Sequence, residues 1–519
     1  MSILCPAARR PLLSTALRVR CRPAARAHKS TQPRSVAEHL AWKPLEPAVC
    51  IEIDGYVRSV RAQKKHHFVS VGDGSSIDSL QAVVPADQAE GLTTGAAVRL
   101  HGSWVASRGS GQSHELQVRR MDVLGPSDAK TFPLQKKYQS PEFLRSLPHL
   151  RPRIPFNSML LRFRSEVISS LNRFFESRQF VQTHTPILTA SDCEGAGEVF
   201  GISTVDENPQ PDGETAKSFF RRPVYATVSA QLHLEALAQA LGNVWTLSPT
   251  FRAEQSDTTR HLSEFYMLEA EMTFTDDMES IMSLVEDMLR HVAVELHDSR
   301  TVKEMSSRTA EASSDMAPVD QVERRWRGLM GKEVWPRITY TDAIDILNAS
   351  NEQFEVKPVW GQDLRTEHER YLAAHIGHGE TPVFVTNYPR SFKAFYMKTA
   401  ENDLGKPTPG ETVECFDLLV PDFCEIVGGS MREHRLDNLE ESMRLNGLDT
   451  SSKQVLSDTQ SEKKVAGNNL DWYLDLRRWG CPPHGGFGLG FDRLICYLSG
   501  VQTIRDTTAF PRWYGRCDC

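Results

Sequence analysis

The feature that most restricts what this chain can fold into is a change of hydrophobic period near residue 126. Upstream, Val49, Ile51 and Ile53 alternate with their neighbours, and Gly55 is expected to break the run. Further short runs lie at 68–71, 80–84, 97–105 and 115–123, with Gly72-Asp73-Gly74 as a turn. About five strands in roughly 75 residues is the signature of a small closed barrel. Downstream, Leu160, Phe163, Val167, Leu171 and Phe174 recur at helical spacing, the mark of a long amphipathic helix. A strand-like stretch at 180–188, containing Pro186, follows it.

The barrel, at 48–125, matches the OB type, whose outer strand face holds unstacked bases on aromatic and basic side chains. Phe68 stands beside Lys64, Lys65, His66 and His67; it reads either as such a stacking platform or as a barrel core residue. A linker or hinge is expected at 126–155 and a second domain at 156–519. Within that domain 299–334 and 445–468 are rich in Ser, Asp, Glu and Lys, and they read as loops or partly disordered insertions. The composition, 40% hydrophobic and 24% charged over 519 residues, excludes a fully disordered chain. No apolar run reaches the roughly 18 residues that a membrane span needs, so no membrane partner is expected. The ten cysteines form no CxxC pair, which points to free thiols rather than a zinc site.

The N-terminus has its own character. The first acidic residue is Glu38, and eight basic residues precede it: Arg9, Arg10, Arg18, Arg20, Arg22, Arg26, Lys29 and Arg34. Leu12, Leu13, Leu17 and Val19 supply an apolar face. An arginine-rich, acid-free, amphipathic segment is the profile of a mitochondrial presequence, expected over 1–37, so the matrix is the expected compartment. The body left behind is more acidic than the whole chain, whose formal charge is −7. Any basic binding surface on it must therefore be local.

Three later segments carry groups suited to phosphate. Thr250-Phe251-Arg252-Ala253-Glu254 precedes a polar loop at 255–261 and an apolar run at 265–272, which reads as two antiparallel strands joined by a loop. An arginine at the end of the first strand can grip a phosphate bidentately, although on this string alone a surface salt bridge is the default reading. Asp417 and Glu425 are eight residues apart, ahead of Gly428-Gly429-Ser430-Met431-Arg432-Glu433. Two carboxylates on neighbouring strands suit Mg²⁺ shared with substrate phosphates. Last, Pro483-His484-Gly485-Gly486-Phe487-Gly488-Leu489-Gly490-Phe491-Asp492-Arg493-Leu494 reads as a glycine-rich strand entering a helix. It lacks a P-loop ending, but its glycines admit a flat ligand that Arg493 can cover by cation–π stacking.

In order and context these segments resemble the signature motifs of class II aminoacyl-tRNA synthetases: motif 1 at 157–186, motif 2 at 250–272 and motif 3 at 485–498. The N-terminal barrel makes the chain similar to the aspartate/asparagine/lysine subclass. Within it the match is to the asparaginyl-tRNA synthetases. The strings that carry it are Ser191-Asp192-Cys193-Glu194-Gly195-Ala196-Gly197-Glu198, Ser229-Ala230-Gln231-Leu232-His233-Leu234-Glu235, the stretch 251–265, the segment 428–433 and Asp475-Leu476-Arg477-Arg478-Trp479-Gly480. The resemblance covers roughly residues 48–513. It implies an α+β fold: a five-stranded OB-type β-barrel that binds the anticodon, followed by a class II catalytic domain with a mostly antiparallel sheet flanked by helices.

It also implies an AMP-forming ligase, with ATP as substrate and Mg²⁺, that joins asparagine to tRNA(Asn) through an asparaginyl-adenylate in mitochondrial translation. Arg252 would bridge the ATP α-phosphate and the amino acid carboxylate, Glu254 would orient ATP, and Phe265 would lie under the adenine. Arg493 would lie over it, with Gly490 lining the nucleotide site. Asp417 and Glu425 would hold the metal, so that Arg252, Arg493 and Glu425 carry the catalysis. Glu194 and Ser229 would face the substrate ammonium and Gln231 its carboxylate. Phe68, Lys64 and Lys65 would meet the anticodon, and Arg260, in the loop 255–261, the acceptor end. A homodimer is implied because motif 1 builds the subunit contact.

Selectivity turns on one departure from the aspartyl enzymes. Where they carry a lysine for the substrate's β-carboxylate, this chain has Leu234, followed by Glu235. An acid in the pocket accepts from an amide NH₂ and repels aspartate. Glu235 and Arg432 are therefore assigned to the asparagine side chain, the other reading of Glu235 being a structural acid. Met431 stands where the family has a glutamine, and Thr503 where it commonly has an asparagine. Three rivals remain: an aspartyl or non-discriminating synthetase, a non-catalytic RNA-binding paralogue, and an ammonia-dependent asparagine synthetase. Leu234, the intact set Arg252, Glu254, Glu425 and Arg493, and the barrel argue against them in turn.

Overall fold

The computed structural model describes residues 33–109, 111–135, 137–190, 198–204, 219–220, 222–307, 316–401, 408–448 and 470–519. It opens with a short helix, α1 (Val36–Ala41), capped by Ser35, whose Oγ accepts from Glu38 N while the Glu38 carboxylate accepts from Ser35 N. This reciprocal cap satisfies two N-terminal donors at once. Strands β1 (Ala48–Ala62), β2 (His66–Gly72), β3 (Leu80–Pro85), β4 (Ala97–Ala106) and β5 (His114–Gly125) then close a barrel in the order β1-β2-β3-β5-β4. Only β3 and β5 pair in parallel. Ile51, Ile53, Val69, Val71, Leu80, Val84, Leu100 and Leu116 fill its interior.

One expectation changes here. Gly55 does not end a strand, because β1 runs straight through it and pairs it with Val98. A Cβ at Gly55 would lie 2.5 Å from Val71 Cγ1 and 3.2 Å from the Gly72 carbonyl oxygen, so the glycine lets β1 and β2 approach closely. Of the N-terminal segment expected over 1–37, residues 1–32 lie outside the described residues. Val36 and Ala37 are buried, and their backbone N–H groups donate to Asp73 and Ser75 of the barrel.

The linker is not slack. Beyond the short helix α2 (Pro141–Arg145), Arg145 grips both oxygens of Asp506, and buried Arg151 donates to Asp506 and to the carbonyls of Arg505, Thr508 and Ala509. Pro155, at the first helical position where its missing N–H costs nothing, opens α3 (Pro155–Ser177). Leu160, Phe163, Val167, Leu171 and Phe174 all point into the core, as their spacing predicts. The expected strand at 180–188 is only the pair β6 (Val181–Gln182); β7 (Leu188–Thr189) joins β8 (Tyr225–Ala226) in a separate two-stranded sheet.

Next come α4 (Gln231–Leu241), β9 (Val244–Phe251), β10 (Glu264–Thr273) and α5 (Met278–Leu296). The segment 299–334, expected as loop, holds two helices, α6 (Arg300–Ser306) and α7 (Val319–Met330). Val302, Met305, Val322, Trp326 and Leu329 bury their apolar sides in the main core. The rest of the chain supplies β11 (Arg337–Thr339), α8 (Tyr340–Ala349), α9 (Thr366–Ile376), β12 (Val383–Thr386), β13 (Cys415–Val420) and β14 (Cys424–Met431). It ends with α10 (Leu436–Leu445), α11 (Asp471–Arg478), β15 (His484–Gly490) and α12 (Phe491–Ser499). Most of the second expected insertion, residues 449–468, lies outside the described residues.

Eight strands form one sheet in the order β11-β12-β13-β14-β15-β10-β9-β6, antiparallel except for its two edge pairs. Its two faces differ, as strand alternation requires. Leu268 and Ala270 of β10, Phe487 and Leu489 of β15, and Phe416 and Leu418 of β13 join the core built with α3, α5 and α12. The intervening residues Met267, Glu269, Glu271, Gly488 and Asp417 line a cleft on the opposite face. No described helix is long and apolar enough to cross a membrane.

Candidate active site

The cleft holds two adjoining cavities. The first, of about 230 Å³, is lined by Ser229, Gln231, Leu234, Glu269, Glu271, Lys393, Tyr396, Asp417 and Arg432 among others. The second, of about 130 Å³, is lined by Glu254, Arg260, His261, Phe265, Gly490 and Arg493. Arg252, Met267, Glu425 and Gly488 line both. A ligand spanning the two cavities would thus pass between a guanidinium and a carboxylate.

In the second cavity Arg252 follows the last residue of β9, and its backbone N–H donates to Ser263 O across the hairpin. Its guanidinium lies 5.9 Å from the Phe265 ring centroid and 3.7 Å from Glu254 Oε1. Arg493, one turn into α12, donates to Glu425 O at 3.0 Å. Arg260 donates to Asp422 O at 3.1 Å and approaches Cys424 Sγ. The expected tRNA contact is therefore held against the turn between β13 and β14.

Asp417 and Glu425 come together on β13 and β14. A Cβ at Gly428 would sit 3.3 Å from Glu425 Oε1 and 3.4 Å from Asp417 Oδ1, so the missing side chain leaves room between the two acids. Lys393 Nζ lies 2.9 Å from Asp417 Oδ2 and takes one oxygen. Burial and the Asp417 charge push the Glu425 carboxyl up, although its side chain stays 42% exposed through the flanking cavities. Glu369 on α9, which the sequence did not flag, is raised to about 8 by burial and then by Glu425 and Asp417. This concentration of hard oxygen ligands fits a divalent cation held by two carboxylates and a substrate's phosphates.

In the first cavity Ser229 Oγ donates to Glu269 Oε1 at 2.5 Å, and Ala230 N donates to both oxygens of the same carboxylate. Glu271 and Arg432, both buried, form a two-point ion pair at 3.0 and 3.2 Å, and Arg432 Nη1 reaches Ser430 Oγ. Burial raises the Glu271 carboxyl against the pull of Arg432.

Glu235 is not in that wall. It is fully buried behind it, accepting from Arg477 Nη2 at 2.7 Å, Tyr473 Oη at 2.8 and 2.9 Å and Gln231 Nε2 at 3.0 Å, with His484 Nε2 at 3.0 Å. Burial alone would raise its carboxyl; Arg477, His484 and Arg432 outweigh that and hold it ionised. His484, against the cost of burial, is raised to about 10 by its contacts with Cys481 and Glu235. Ligand atoms of Glu235, Glu271 and His484 lie within 4.8 Å of one another. With Arg432 and Arg477 on the two acids and His484 protonated, the group is an ion network rather than a metal site. Glu235 thus belongs to this network, and the buried acids that line the cavity wall near Arg432 are Glu269 and Glu271. Glu194 lies outside the described residues.

On the barrel, half-buried Phe68 stands before inward-facing Val69, with the Arg61 guanidinium 4.9 Å from its ring centroid. Lys64 and Lys65 are exposed in the turn between β1 and β2. Across the same face Glu115 accepts from Gln81 Nε2 at 3.0 Å and Gln117 Nε2 at 2.7 Å. The sequence reading missed these amide donors.

The family described as class II tRNA synthetases (D, K and N) matches residues 140–514, and the OB-fold nucleic acid binding domain matches 51–124. The mitochondrial asparagine–tRNA ligase of Saccharomyces cerevisiae is 40% identical over 94% of this chain and 96% of its own. The asparagine–tRNA ligase of Nostoc sp. is 40% identical over 92% of this chain and 98% of its own. The chain belongs to the asparaginyl-tRNA synthetases. The asparaginyl-tRNA synthetase from Pyrococcus horikoshii complexed with asparaginyl-adenylate superposes with a TM-score of 0.73 at 28% identity, covering 91% of this chain and 99% of that one. Like other class II enzymes this synthetase uses ATP.

Proposed function

We propose that this synthetase activates asparagine with ATP and transfers it to tRNA(Asn) in the mitochondrial matrix, as a homodimer. The observation that carries the reaction is the junction of the cavities at Arg252 and Glu425. Asparagine would lie in the larger, its ammonium on Glu269 with Ser229 and its carboxylate near Gln231 and Arg252. Its side-chain amide would donate to Glu271 and accept from Arg432. Aspartate would set a second carboxylate against Glu271, so an ion pair tuned for an amide rejects the charged isostere. Leu234, in the same wall, offers no cation in exchange.

ATP would lie in the smaller cavity, its adenine between Phe265 and Arg493 beside Gly490, with Glu254 orienting it. The carboxylate nucleophile is already ionised, so the step needs alignment and charge stabilisation rather than a side-chain base. Arg252 would bind both the attacking carboxylate and the α-phosphate as charge builds there. Asp417 and Glu425 would hold Mg²⁺, which when bound supplies further neutralisation of the phosphates. The tRNA would rest its anticodon on Phe68, Lys64 and Lys65 and bring its 3′ end past the loop 255–261, where release of Arg260 from Asp422 would free a cation for it.

The matrix address rests on the acid-free, arginine-rich N-terminus and on the likeness to a mitochondrial relative. The dimer rests on the motif 1 resemblance and on the apolar Val181, with Ile187 and Leu188 just beyond the motif, each more than 40% exposed; exposed apolar groups suit a contact. ATP–pyrophosphate exchange by the chain from Pro33 onward tests the reading. Exchange with asparagine and not aspartate is expected; exchange with aspartate would overturn the role given to Glu271, and exchange with neither would overturn the function.

A further inference from the structure

We propose that Glu304 is a positioning residue for the tRNA-charging step: it sets the angle of the barrel to the catalytic domain. This rests on the reading that the barrel holds the tRNA. Helix α6, which carries Glu304, is built into the catalytic domain. Thr301, fully buried, donates to Glu166 of α3 at 2.5 Å, Ser299 Oγ lies 3.3 Å from the same carboxylate, and Val302 and Met305 enter the main core.

From that anchored helix the buried Glu304 carboxylate reaches into the barrel. Oε2 accepts from Arg162 Nη2 of α3 at 2.7 Å and from the backbone N–H of Ile77 at 3.3 Å, while Oε1 accepts from Ser76 Oγ at 3.2 Å. Arg300, one turn earlier, donates to Ser75 O at 2.9 Å. The barrel loop that receives them is itself braced. Arg58 of β1 donates to the carbonyls of Ile77 and Ser76, and Ala37 N of α1 donates to Ser75 Oγ.

One carboxylate thus ties a stiffened barrel loop to α3, which is also the reference for the nucleotide site. Arg164, two residues from Arg162, pairs with Asp492 at 2.6 Å, and Asp492 precedes Arg493. Barrel and catalytic cleft are registered against a single helix. Away from α6, the barrel meets the catalytic side through Arg153, which donates to Gly95 O and lies over the rings of Tyr56 and Phe132. That contact is close to the linker and acts as a pivot; Glu304 acts as the strut that stops rotation about it.

The test compares full-length wild type, Glu304→Ala and Glu304→Gln in three assays: ATP–pyrophosphate exchange, charging of full-length tRNA(Asn), and binding of an isolated anticodon stem-loop. A misplaced 3′ end predicts that kcat/KM for charging falls roughly tenfold or more, with exchange and stem-loop binding as in wild type. Glutamine, which keeps one acceptor but loses the pair with Arg162, should lose less than alanine. Unchanged charging in both variants overturns the proposal, as does a parallel fall in exchange or in stem-loop binding. Phe68→Ala separates the underlying reading: stem-loop binding indifferent to Phe68 overturns recognition by the barrel, whereas stem-loop binding lost there and charging intact in both Glu304 variants overturns the strut alone.

Discussion

The catalytic cleft buries its charge, whereas the outer face of the barrel displays it. In the cleft Glu271, Arg432, Glu235, Arg477 and His484 are all nearly inaccessible to solvent and paired with one another. On the barrel Phe68 is half-buried, Arg61, Lys64 and Lys65 are exposed, and Gln81, Glu115 and Gln117 form a polar strip beside them. The difference follows from the ligands. A small amino acid must be told from its isostere by one group, which needs desolvated, rigid electrostatics. A nucleic acid offers stacking faces and many phosphates, each contact modest and screened by salt. Lesions should therefore be large and selective for chemistry in the cleft, and small and selective for tRNA on the barrel.

The largest effect is expected at the junction of the cavities. Arg252→Ala removes the group placed on the α-phosphate, and losing one preorganised donor of this kind costs about 10²–10³-fold in rate. Pyrophosphate exchange should fall accordingly while the unfolding midpoint stays as in wild type, since Arg252 lines cavities and joins no apolar core cluster. A matching loss of stability would move Arg252 into the structural class.

Next come the two acids. Glu271→Gln should weaken asparagine activation and narrow its advantage over aspartate, because a carboxylate substrate no longer meets a like charge. Glu235→Gln should instead act on the fold. It leaves Arg477 buried without its counter-charge, and breaking a buried pair costs about 3–5 kcal/mol. Exchange measured beside urea unfolding separates the two outcomes. If the Glu235 variant changes selectivity at full stability, the division between cavity wall and buried network is wrong.

That division also marks what could be read from the chain. The barrel strands, the α3 stripe, the motif 2 hairpin and the glycine-rich strand into α12 follow from periodicity and turn residues, and all are present. Glu235, expected at the asparagine side chain, lies in the buried network because neighbouring residues on a helix point about 100° apart: with Leu234 lining the cavity, Glu235 turns toward Arg477 and Tyr473. The signal for Glu269 and Glu271 was available in Met267-Leu268-Glu269-Ala270-Glu271, where acids on one face of β10 alternate with core residues on the other. Helix α7 was missed because its charged surface outweighed Val322, Trp326 and Leu329, which share one side at helical spacing. The two-sided contacts of Glu304 depend on which loop of the barrel meets which helix, and local sequence is silent on that.

On the barrel, Phe68→Ala should reduce tRNA charging and spare exchange. Stacking of a base on an aromatic ring is worth about 1–3 kcal/mol, so the loss is roughly tenfold to a hundredfold in tRNA affinity. Equal losses in both assays would mean that Phe68 supports the barrel rather than the ligand.

The smallest effect expected is on stability as pH rises, and it belongs to the cleft alone. His484 is raised from 6.5 to about 10 in the folded chain. Its contribution is whole below the unfolded value and is lost as pH climbs through the folded one. Glu235 has the opposite sign: its carboxyl is lowered, so its contribution is present at neutral pH and lost only on acidification. Between about pH 7 and 10 the network therefore weakens through His484 while Glu235 stays ionised. The urea midpoint should drift down across that window, and less steeply in His484→Gln, whose side chain keeps a donor toward Glu235 but carries no titrating proton. An equal slope in both proteins would show that the imidazole is not charged in the native state, and the network behind the amino-acid cavity would then have to balance two arginines against two acids without it.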